Sequence, residues 1–211
     1  MKIDFVSDVS CPWCAIGLLS LEAALARIDP ELKAAIRFQP FELNPQLPPE
    51  GEDVGEHLAR KYGASAEQGE RAREAIRARG EALGFEFRMD RRSRIYNTFD
   101  AHRLLHWAGI EGRQSALKHA LLRAYFTDGA DVSARELLVR AASEVGLDAA
   151  RARRVLESGA FAAEVRERER HYQALGIHAV PSVIIDERHL IQGGQPVEVF
   201  EQALRQWSGA G

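Results

Sequence analysis

Cysteine is scarce in this chain: only Cys11 and Cys14 occur among 211 residues, and they lie three positions apart. A structural disulfide framework spreads its cysteines along the sequence, because a bridge stabilises more as it closes a longer loop. A bridge between Cys11 and Cys14 would close almost no loop. The spacing therefore argues against a stapled scaffold and favours a chemical role for the pair.

Long apolar runs and an excess of positive charge are also missing. The longest uncharged apolar run, residues 15–21, is far too short to span a bilayer. The net charge of −3 gives no basic surface for nucleic acid or anionic membranes, so neither is expected as a partner. Asp4 closely follows Lys2 and no apolar h-region develops, which predicts a cytoplasmic protein without a secretory signal.

Proline is absent from residues 54–157, which are rich in Ala, Leu, Arg and Glu. This composition predicts a wholly helical segment. Breaks are expected at glycine-containing positions: Gly84, 109–112, Asp128-Gly129 and Gly146. Polar residues that precede helical patterns are predicted N-caps: Asn97, Ser133 and Asp148.

The segments on either side alternate between strand and helix patterns. Strands are predicted at residues 2–7, 35–43, 180–185 and 189–192. Helices are predicted from Pro12 to near Asp29-Pro30, at 160–175, and from Pro196 onward. Pro40 indicates an edge strand or a bulge. The first strand, helix and strand form a βαβ unit with parallel strands. The sequence thus predicts an α/β domain of residues 1–49 and 158–211, with residues 50–157 as an inserted helical domain.

A Cys-x-x-Cys pair in a βα turn is typical of a redox-active dithiol. Residues three apart share one helix face, so the two sulfurs can reach bonding distance. The positive end of the helix dipole and its free N–H groups favour a thiolate at Cys11, which would attack a substrate disulfide. Cys14 would then resolve the mixed disulfide. Two small buried hydrophobes are the alternative interpretation. Zinc is not predicted, because a structural site needs four ligands and only two thiols are present.

The stretch Cys11-Pro12-Trp13-Cys14, with the helical block and a late Val180-Pro181, resembles the DsbA family of thioredoxin-like proteins. Further stretches resemble its cytoplasmic FrnE-like branch: Phe41-Glu42-Leu43-Asn44-Pro45, Asn97-Thr98, Ala101-His102-Arg103-Leu104, Ala124-Tyr125-Phe126-Thr127 and Gly176-Ile177. The resemblance covers essentially the whole chain. It implies a thioredoxin-like domain with a large all-helical insertion.

The resemblance also implies that Pro181 is cis and packs beside the redox pair, leaving the Val180 backbone next to Cys11 to pair with a substrate. The predicted substrate-binding residues are Pro12, Trp13, Val180 and Pro181, with Trp13 either contacting substrate or packing on the neighbouring helix. Two departures concern the redox potential. Oxidising members carry His in place of Trp13, and Phe5 occupies the position of a buried acid, while Asp4 is expected on the opposite strand face.

The predicted function is disulfide exchange with protein or small-molecule thiol substrates. No cofactor is predicted, and glutathione is a candidate redox partner. A reducing cytoplasm favours reductase or isomerase work. Two alternatives remain: a glutathione-dependent isomerase or transferase of the kappa type, which tends to carry Ser in place of Cys11, and a holdase-like chaperone. His102 and His106 share a helix face without an evident third metal ligand, and they are interpreted as packing or hydrogen-bonding residues. Asn97 and His102 are each candidates for lining a substrate pocket.

Overall fold

A computed structural model describes residues 1–28, 34–63 and 65–207 of the chain. The strands are β1 (Lys2–Ser7), β2 (Ala35–Pro40), β3 (Glu52–Asp53), β4 (Arg94–Ile95), β5 (Ser182–Ile185) and β6 (His189–Gln192). The helices are α1 (Pro12–Arg27), α2 (Val54–Tyr62), α3 (Ala66–Ala82), α4 (Phe99–Ile110), α5 (Gln114–Phe126), α6 (Arg135–Glu144), α7 (Ala149–Ser158), α8 (Ala162–Ala174) and α9 (Val197–Trp207). The predicted helix stop at Asp29-Pro30 lies outside the described residues. No helix among those described is long and apolar enough to cross a membrane.

The main sheet has the strand order β2-β1-β5-β6 within the described residues. Strands β1 and β2 are parallel, as the βαβ pattern predicts, whereas β5 and β6 run antiparallel to their neighbours. The second strand ends at Pro40, three residues earlier than the predicted limit of 43. Proline is tolerated there because β2 is an edge strand.

A side-chain amide from the helical segment covers part of the β2 edge. The Phe38 N–H donates to Gln114 Oε1 at 3.0 Å, and Gln114 Nε2 donates to the Phe38 carbonyl at 3.1 Å. Gln114 therefore pairs with the strand as a neighbouring peptide would, and it satisfies backbone groups that an edge strand otherwise exposes. This contact fixes α5 against the sheet.

The prediction that residues 54–157 are wholly helical is wrong around β4. This strand pairs antiparallel with β3, so part of the chain between α3 and α4 is extended. Side chains explain the departure: the Arg94 guanidinium donates to the carbonyls of Glu50 and Gly51, and the Tyr125 hydroxyl donates to the Arg94 carbonyl at 3.0 Å. These long-range hydrogen bonds outweigh a local preference for helix.

Of the three predicted N-caps, only Asp148 occupies the cap position of a helix. Asp148 caps α7 by accepting from the Arg151 N–H at 2.6 Å, which confirms that prediction. Ser133 is not a cap, because α6 is preceded by Ala134 and the Ser133 hydroxyl donates to Asp131. Asn97 lies one residue before the cap position of α4, yet its Oδ1 accepts from the Phe99 N–H at 2.9 Å.

One hydrophobic core joins the sheet to the helical segment. A single cluster of buried side chains contains Phe5 of β1, Leu18 of α1, Leu121 of α5 and Leu138 of α6. The segment 50–157 is therefore packed on the sheet and α1 within this core. The division of the chain into two domains stays a prediction.

Arg103 ties α4 to the end of α7. Its side chain is almost wholly buried and donates to Asp100 Oδ1 at 2.6 Å and to the Ala160 carbonyl at 2.8 Å. It also donates to the Val155 and Leu156 carbonyls. Removing a donor leaves buried acceptors unsatisfied, which costs more than an exposed hydrogen bond.

We therefore expect Arg103→Met to lower the free energy of unfolding by about 2 kcal/mol, measured by urea denaturation. Arg140→Met is the matched control, because the Arg140 side chain is mostly exposed and its nearest ion-pair contact is 3.9 Å long. Equal stabilities of the two variants would contradict the structural role assigned to Arg103.

Candidate active site

The two cysteines lie where β1 leads into α1. Cys11 is the N-cap residue with φ −93° and ψ 114°, and Pro12 takes the first helical position, where no N–H is needed. The Cys11 carbonyl accepts from the backbone N–H of Cys14 at 3.1 Å and of Ala15 at 3.3 Å. The thiols therefore occupy successive turns at the positive end of the helix, as the sequence predicts.

Burial and hydrogen bonding shift the pKa values of the two thiols in opposite directions. The hydrogen bond from the Cys14 thiol is the largest effect on the Cys11 pKa and lowers it below its ordinary value, against the opposing effect of burial. Burial is the largest effect on the Cys14 pKa and raises it well above its ordinary value, and the interaction with Cys11 raises it further. The Cys11 thiol is therefore the more readily ionised of the pair, and the Cys14 thiol keeps its proton more firmly.

We expect iodoacetamide at neutral pH to modify Cys11 at least about tenfold faster than Cys14, since the thiolate is the reactive form. The Cys11 rate should rise with pH through a midpoint below that of a free thiol, because its pKa is lowered. Peptide mass analysis after timed quenching separates the two sites. Equal rates, or faster modification of Cys14, would contradict the assigned roles.

A groove of about 410 Å³ opens onto Cys11. Besides Cys11, three of the predicted substrate-binding residues line it: Pro12, Trp13 and Val180. Its opposite wall comes from α2 and α3 and includes His57, Tyr62, Arg73 and Ile76. Cys14 and Pro181 are not among the lining residues, so the groove presents only the first thiol to a substrate.

The position of Trp13 is compatible with both predictions, contact with a substrate and packing on a neighbouring helix. Its side chain is 36% exposed and lines the groove, where a substrate can contact it. The Arg79 guanidinium of α3 lies 5.5 Å from the ring centroid, so the ring also packs on a neighbouring helix.

The Val180–Pro181 peptide bond is cis, as the resemblance implies. The Val180 carbonyl oxygen lies 3.8 Å from Cys11 Sγ, which places this backbone beside the nucleophile. Pro181 is buried behind it, and a methyl group added at Gly17 of α1 would lie only 3.0 Å from Pro181 Cγ. The absence of a side chain at Gly17 therefore lets the proline loop approach the redox helix.

Asp8 is a buried acid three residues before Cys11. Its carboxylate accepts from the Leu43 N–H at 2.7 Å and the Ser10 N–H at 3.2 Å, and it lies 3.6 Å from His102 Nε2. Burial alone would raise the Asp8 pKa, but the interaction with His102, followed by hydrogen bonds from Leu43 and Thr98, lowers it overall. Asp8 is therefore held as a carboxylate beneath the redox turn.

Lys118 of α5 is a site residue that sequence reasoning missed. It is completely buried, and burial lowers its pKa. The charges of Cys14 and then of Asp8 oppose this shift. A signal was present: Lys118 lies three and four residues before Leu121 and Leu122, on a face of α5 that is otherwise apolar or aromatic.

The other candidate residues, His106 and Asn97, are engaged in packing or hydrogen bonds within the fold. His106 packs on Phe161, with ring centroids 5.2 Å apart, and Asn97 Nδ2 donates to Glu42 and to the Pro45 carbonyl at 3.3 Å. Neither lines the groove. In the part of the chain that is described, no group of three His, Cys, Asp or Glu side chains is arranged to hold a metal ion. Phe5 faces Gly17 of α1, so its strand neighbour Asp4 lies on the opposite face, where it accepts from Gln39 Nε2 at 2.6 Å.

A mixed four-stranded sheet, a Cys-x-x-Cys pair at a helix N-terminus and a cis-proline beside it define a thioredoxin-like dithiol protein. The particular family is the DSBA-like thioredoxin domain family, to which this chain belongs, since the family profile matches residues 2–205. This confirms the predicted fold and the resemblance to the DsbA family.

Several known proteins are similar along nearly their whole length. The chain is 38% identical to a probable DsbA oxidoreductase, SCO1869 from Streptomyces coelicolor, with a TM-score of 0.92 over 99% of this chain and 90% of that one. It is 28% identical to the uncharacterized Bacillus subtilis (strain 168) protein YwbO, over 97% of this chain and 96% of that one. The Pseudomonas aeruginosa cytosolic disulfide reductase DsbM, solved with GSH, shares the fold at 17% identity and a TM-score of 0.69 over 99% of this chain and 100% of that one.

Proposed function

We propose that this protein is a thiol–disulfide oxidoreductase in which Cys11 attacks the disulfide of a protein or small-molecule substrate. The observation that carries the proposal is the contrast between the two thiols. Cys11 opens onto the groove and has a lowered pKa, whereas Cys14 is fully buried behind it with a raised pKa. A reactive thiol backed by a resolving thiol is the arrangement that disulfide exchange requires.

The exchange runs in two steps when the dithiol reduces a substrate. The Cys11 thiolate attacks one sulfur of the substrate disulfide, forms a mixed disulfide and expels the first substrate thiolate, which takes a proton from solvent. Cys14 then attacks Cys11 Sγ, expels the second substrate sulfur, and gives its own proton to that leaving group. The substrate gains two electrons, and the Cys11–Cys14 disulfide holds the oxidised state. Two molecules of a thiol such as glutathione then reduce the Cys11–Cys14 disulfide to the dithiol and are released as their own disulfide.

The groove and the Val180 backbone favour an extended thiol substrate. Trp13 and Ile76 supply apolar surface along the groove, and the Val180 carbonyl beside Cys11 can accept from a substrate N–H in the manner of an added strand. Pro12 lies between the thiol and Trp13 and stiffens the turn. Pro181 positions Val180. We propose Pro12, Trp13, Val180 and Pro181 as the substrate-binding residues.

We place this work in the cytoplasm, where a dithiol resting state favours reduction or isomerisation over net oxidation. The fold that the chain shares with cytosolic DsbM is compatible with this proposal. Assignment to the FrnE-like branch stays a prediction.

A glutathione-dependent isomerase of the kappa type is the second candidate. The chain shares its fold with a 2-hydroxychromene-2-carboxylate isomerase, at a TM-score of 0.70 and 15% identity. A 410 Å³ groove also suits a small molecule. The intact pair of thiols favours disulfide exchange, because an isomerase of this type has no use for a resolving Cys14.

The deciding experiment equilibrates the protein across glutathione redox buffers, traps the thiols by alkylation and measures the mass. We expect one reversible two-electron transition in the wild type and none in Cys11→Ser or Cys14→Ser. A low potential identifies a reductase, and a high one an oxidant or isomerase. A glutathione adduct on Cys11 without an intramolecular disulfide would reject the dithiol mechanism in favour of the isomerase. Binding of unfolded chains that survives Cys11→Ser would favour a holdase.

A further inference from the structure

A second cavity, of about 360 Å³, lies at the edge of β2 between α4, α5 and α8. None of its lining residues also lines the redox groove. Its walls are partly apolar, through Phe38, Leu105 and Ile110. The volume is adequate for a small molecule and too small for a folded partner. We call it the basic cavity.

Every ionisable side chain among the lining residues of the basic cavity is basic: Arg37, His102, His106, Lys118 and Arg168. Carboxylates lie nearby but outside the lining: Glu187, which pairs with Lys2, acts electrostatically on Arg37. Asp8 pairs with His102, and Glu164 acts on His106 from the neighbouring surface. The cavity therefore has a concentrated positive charge, which is a basis for attracting an anion.

Lys118 is among the lining residues of the basic cavity, and its buried ammonium group lacks an acceptor in the described part of the chain. Lys118 is completely buried, and its Nζ has no hydrogen-bond partner among the described residues. The centroid of the Phe38 ring lies 5.8 Å from Nζ, and Cys14 and Asp8 act on the ammonium electrostatically without hydrogen bonding to it. A buried charged donor left unpaired is costly, and a cation–π contact offsets only part of that cost. An anion entering the cavity would supply the missing acceptor.

The mouth offers a second cationic position. Arg37 and Arg168 are exposed there, and neither forms an ion pair within the described parts of the chain. Guanidinium groups match carboxylates with two parallel hydrogen bonds. Gln114, the remaining polar side chain of α5 in the lining, is already bonded to the Phe38 backbone. Positive charge is thus available at two separate places, one buried and one exposed.

We propose that the basic cavity binds a small organic dicarboxylate, with one carboxylate on Lys118 and the other on Arg37 and Arg168. The apolar walls favour an organic spacer over an inorganic anion. Because Lys118 acts electrostatically on Cys14, a bound dicarboxylate would also alter the surroundings of the redox pair. Binding itself does not depend on the proposed redox function.

Isothermal titration and thermal unfolding of the whole protein test this site. The probes are malonate, succinate and glutarate, with acetate, inorganic phosphate and chloride compared at equal ionic strength. We expect at least one dicarboxylate to bind about tenfold or more tightly than acetate and to raise the unfolding temperature. Equal weak binding of all these anions, or tighter binding of phosphate, would overturn the proposal.

Variants assign the binding to this cavity. Lys118→Met should abolish dicarboxylate binding, and it should fold, because an unbranched apolar side chain replaces an unpaired buried charge. Arg37→Ser, an exposed change that leaves the core intact, should weaken dicarboxylate binding while leaving acetate binding unchanged. Arg140→Ser, on the exposed face of α6, is the control and should bind as the wild type does. Binding that both Lys118→Met and Arg37→Ser retain would also overturn the proposal.

Discussion

Replacement of Cys11 by serine is expected to abolish disulfide exchange, with a loss of at least about 10³-fold in rate, because an unactivated hydroxyl is a very weak nucleophile at neutral pH. Cys11 is the only thiol that lines the groove, and Cys14 is fully buried. No second thiol can therefore reach a substrate in its place. Turnover of a model disulfide, with glutathione as the reductant, measures the loss. Retention of more than a few per cent of activity would contradict the assignment of Cys11 as the nucleophile.

The matched variant Cys14→Ser should behave differently. Its Cys11 can still attack, so a mixed disulfide between Cys11 and the substrate should accumulate and be visible by intact mass. Serine is close to cysteine in size, so both variants should unfold at temperatures close to the wild type, which separates lost chemistry from lost structure. A Cys14→Ser protein that turns over normally would show that Cys14 does not resolve the intermediate.

The fold could be predicted where local chemistry determines it. Pro12 after a short β-branched strand marks the start of α1, and the Gly193-Gly194 pair before Pro196 separates β6 from α9. The extended segment at β4 could not be predicted in the same way. It depends on Arg94 reaching the carbonyls of Glu50 and Gly51, more than 40 residues earlier in the chain. Such contacts carry no periodic signal in the sequence.

The candidate site likewise has a part that the sequence predicts and a part that depends on tertiary packing. The Cys11–Cys14 pair is a local pattern, and the placement of Val180 followed from the family resemblance. The buried charges beneath the pair depend on tertiary packing. Asp8 pairs with His102 of α4, which is distant in the sequence, and Lys118 reaches the site only because α5 packs against β2. Charged residues that the tertiary fold buries together are invisible to spacing alone.

Asp8 is the position where a substitution should cost the most stability. Its carboxylate accepts from the backbone N–H groups of Leu43 and Ser10 and pairs with His102. Asp8→Ala removes the ion-pair partner of the buried His102 and the acceptor of the Ser10 and Leu43 N–H groups. We expect the free energy of unfolding to fall by about 3 kcal/mol or more, because breaking a buried pair from one side is strongly destabilising. Urea denaturation at pH 7 measures the change.

The pH dependence of stability gives an independent test of the Asp8 carboxylate. Its pKa in the folded protein is lowered, so its contribution is present at pH values above the ordinary pKa of aspartate and is lost as pH falls through the lower folded pKa. The wild type should therefore lose stability in this acidic range more steeply than Asp8→Asn does. Asp90→Asn, which alters an exposed acid paired with Arg88, is the control and should unfold as the wild type does at pH 7. If Asp8→Asn and the wild type show the same acid profile, the carboxylate is not stabilised as the structure indicates, and its pairing with His102 contributes nothing to folding.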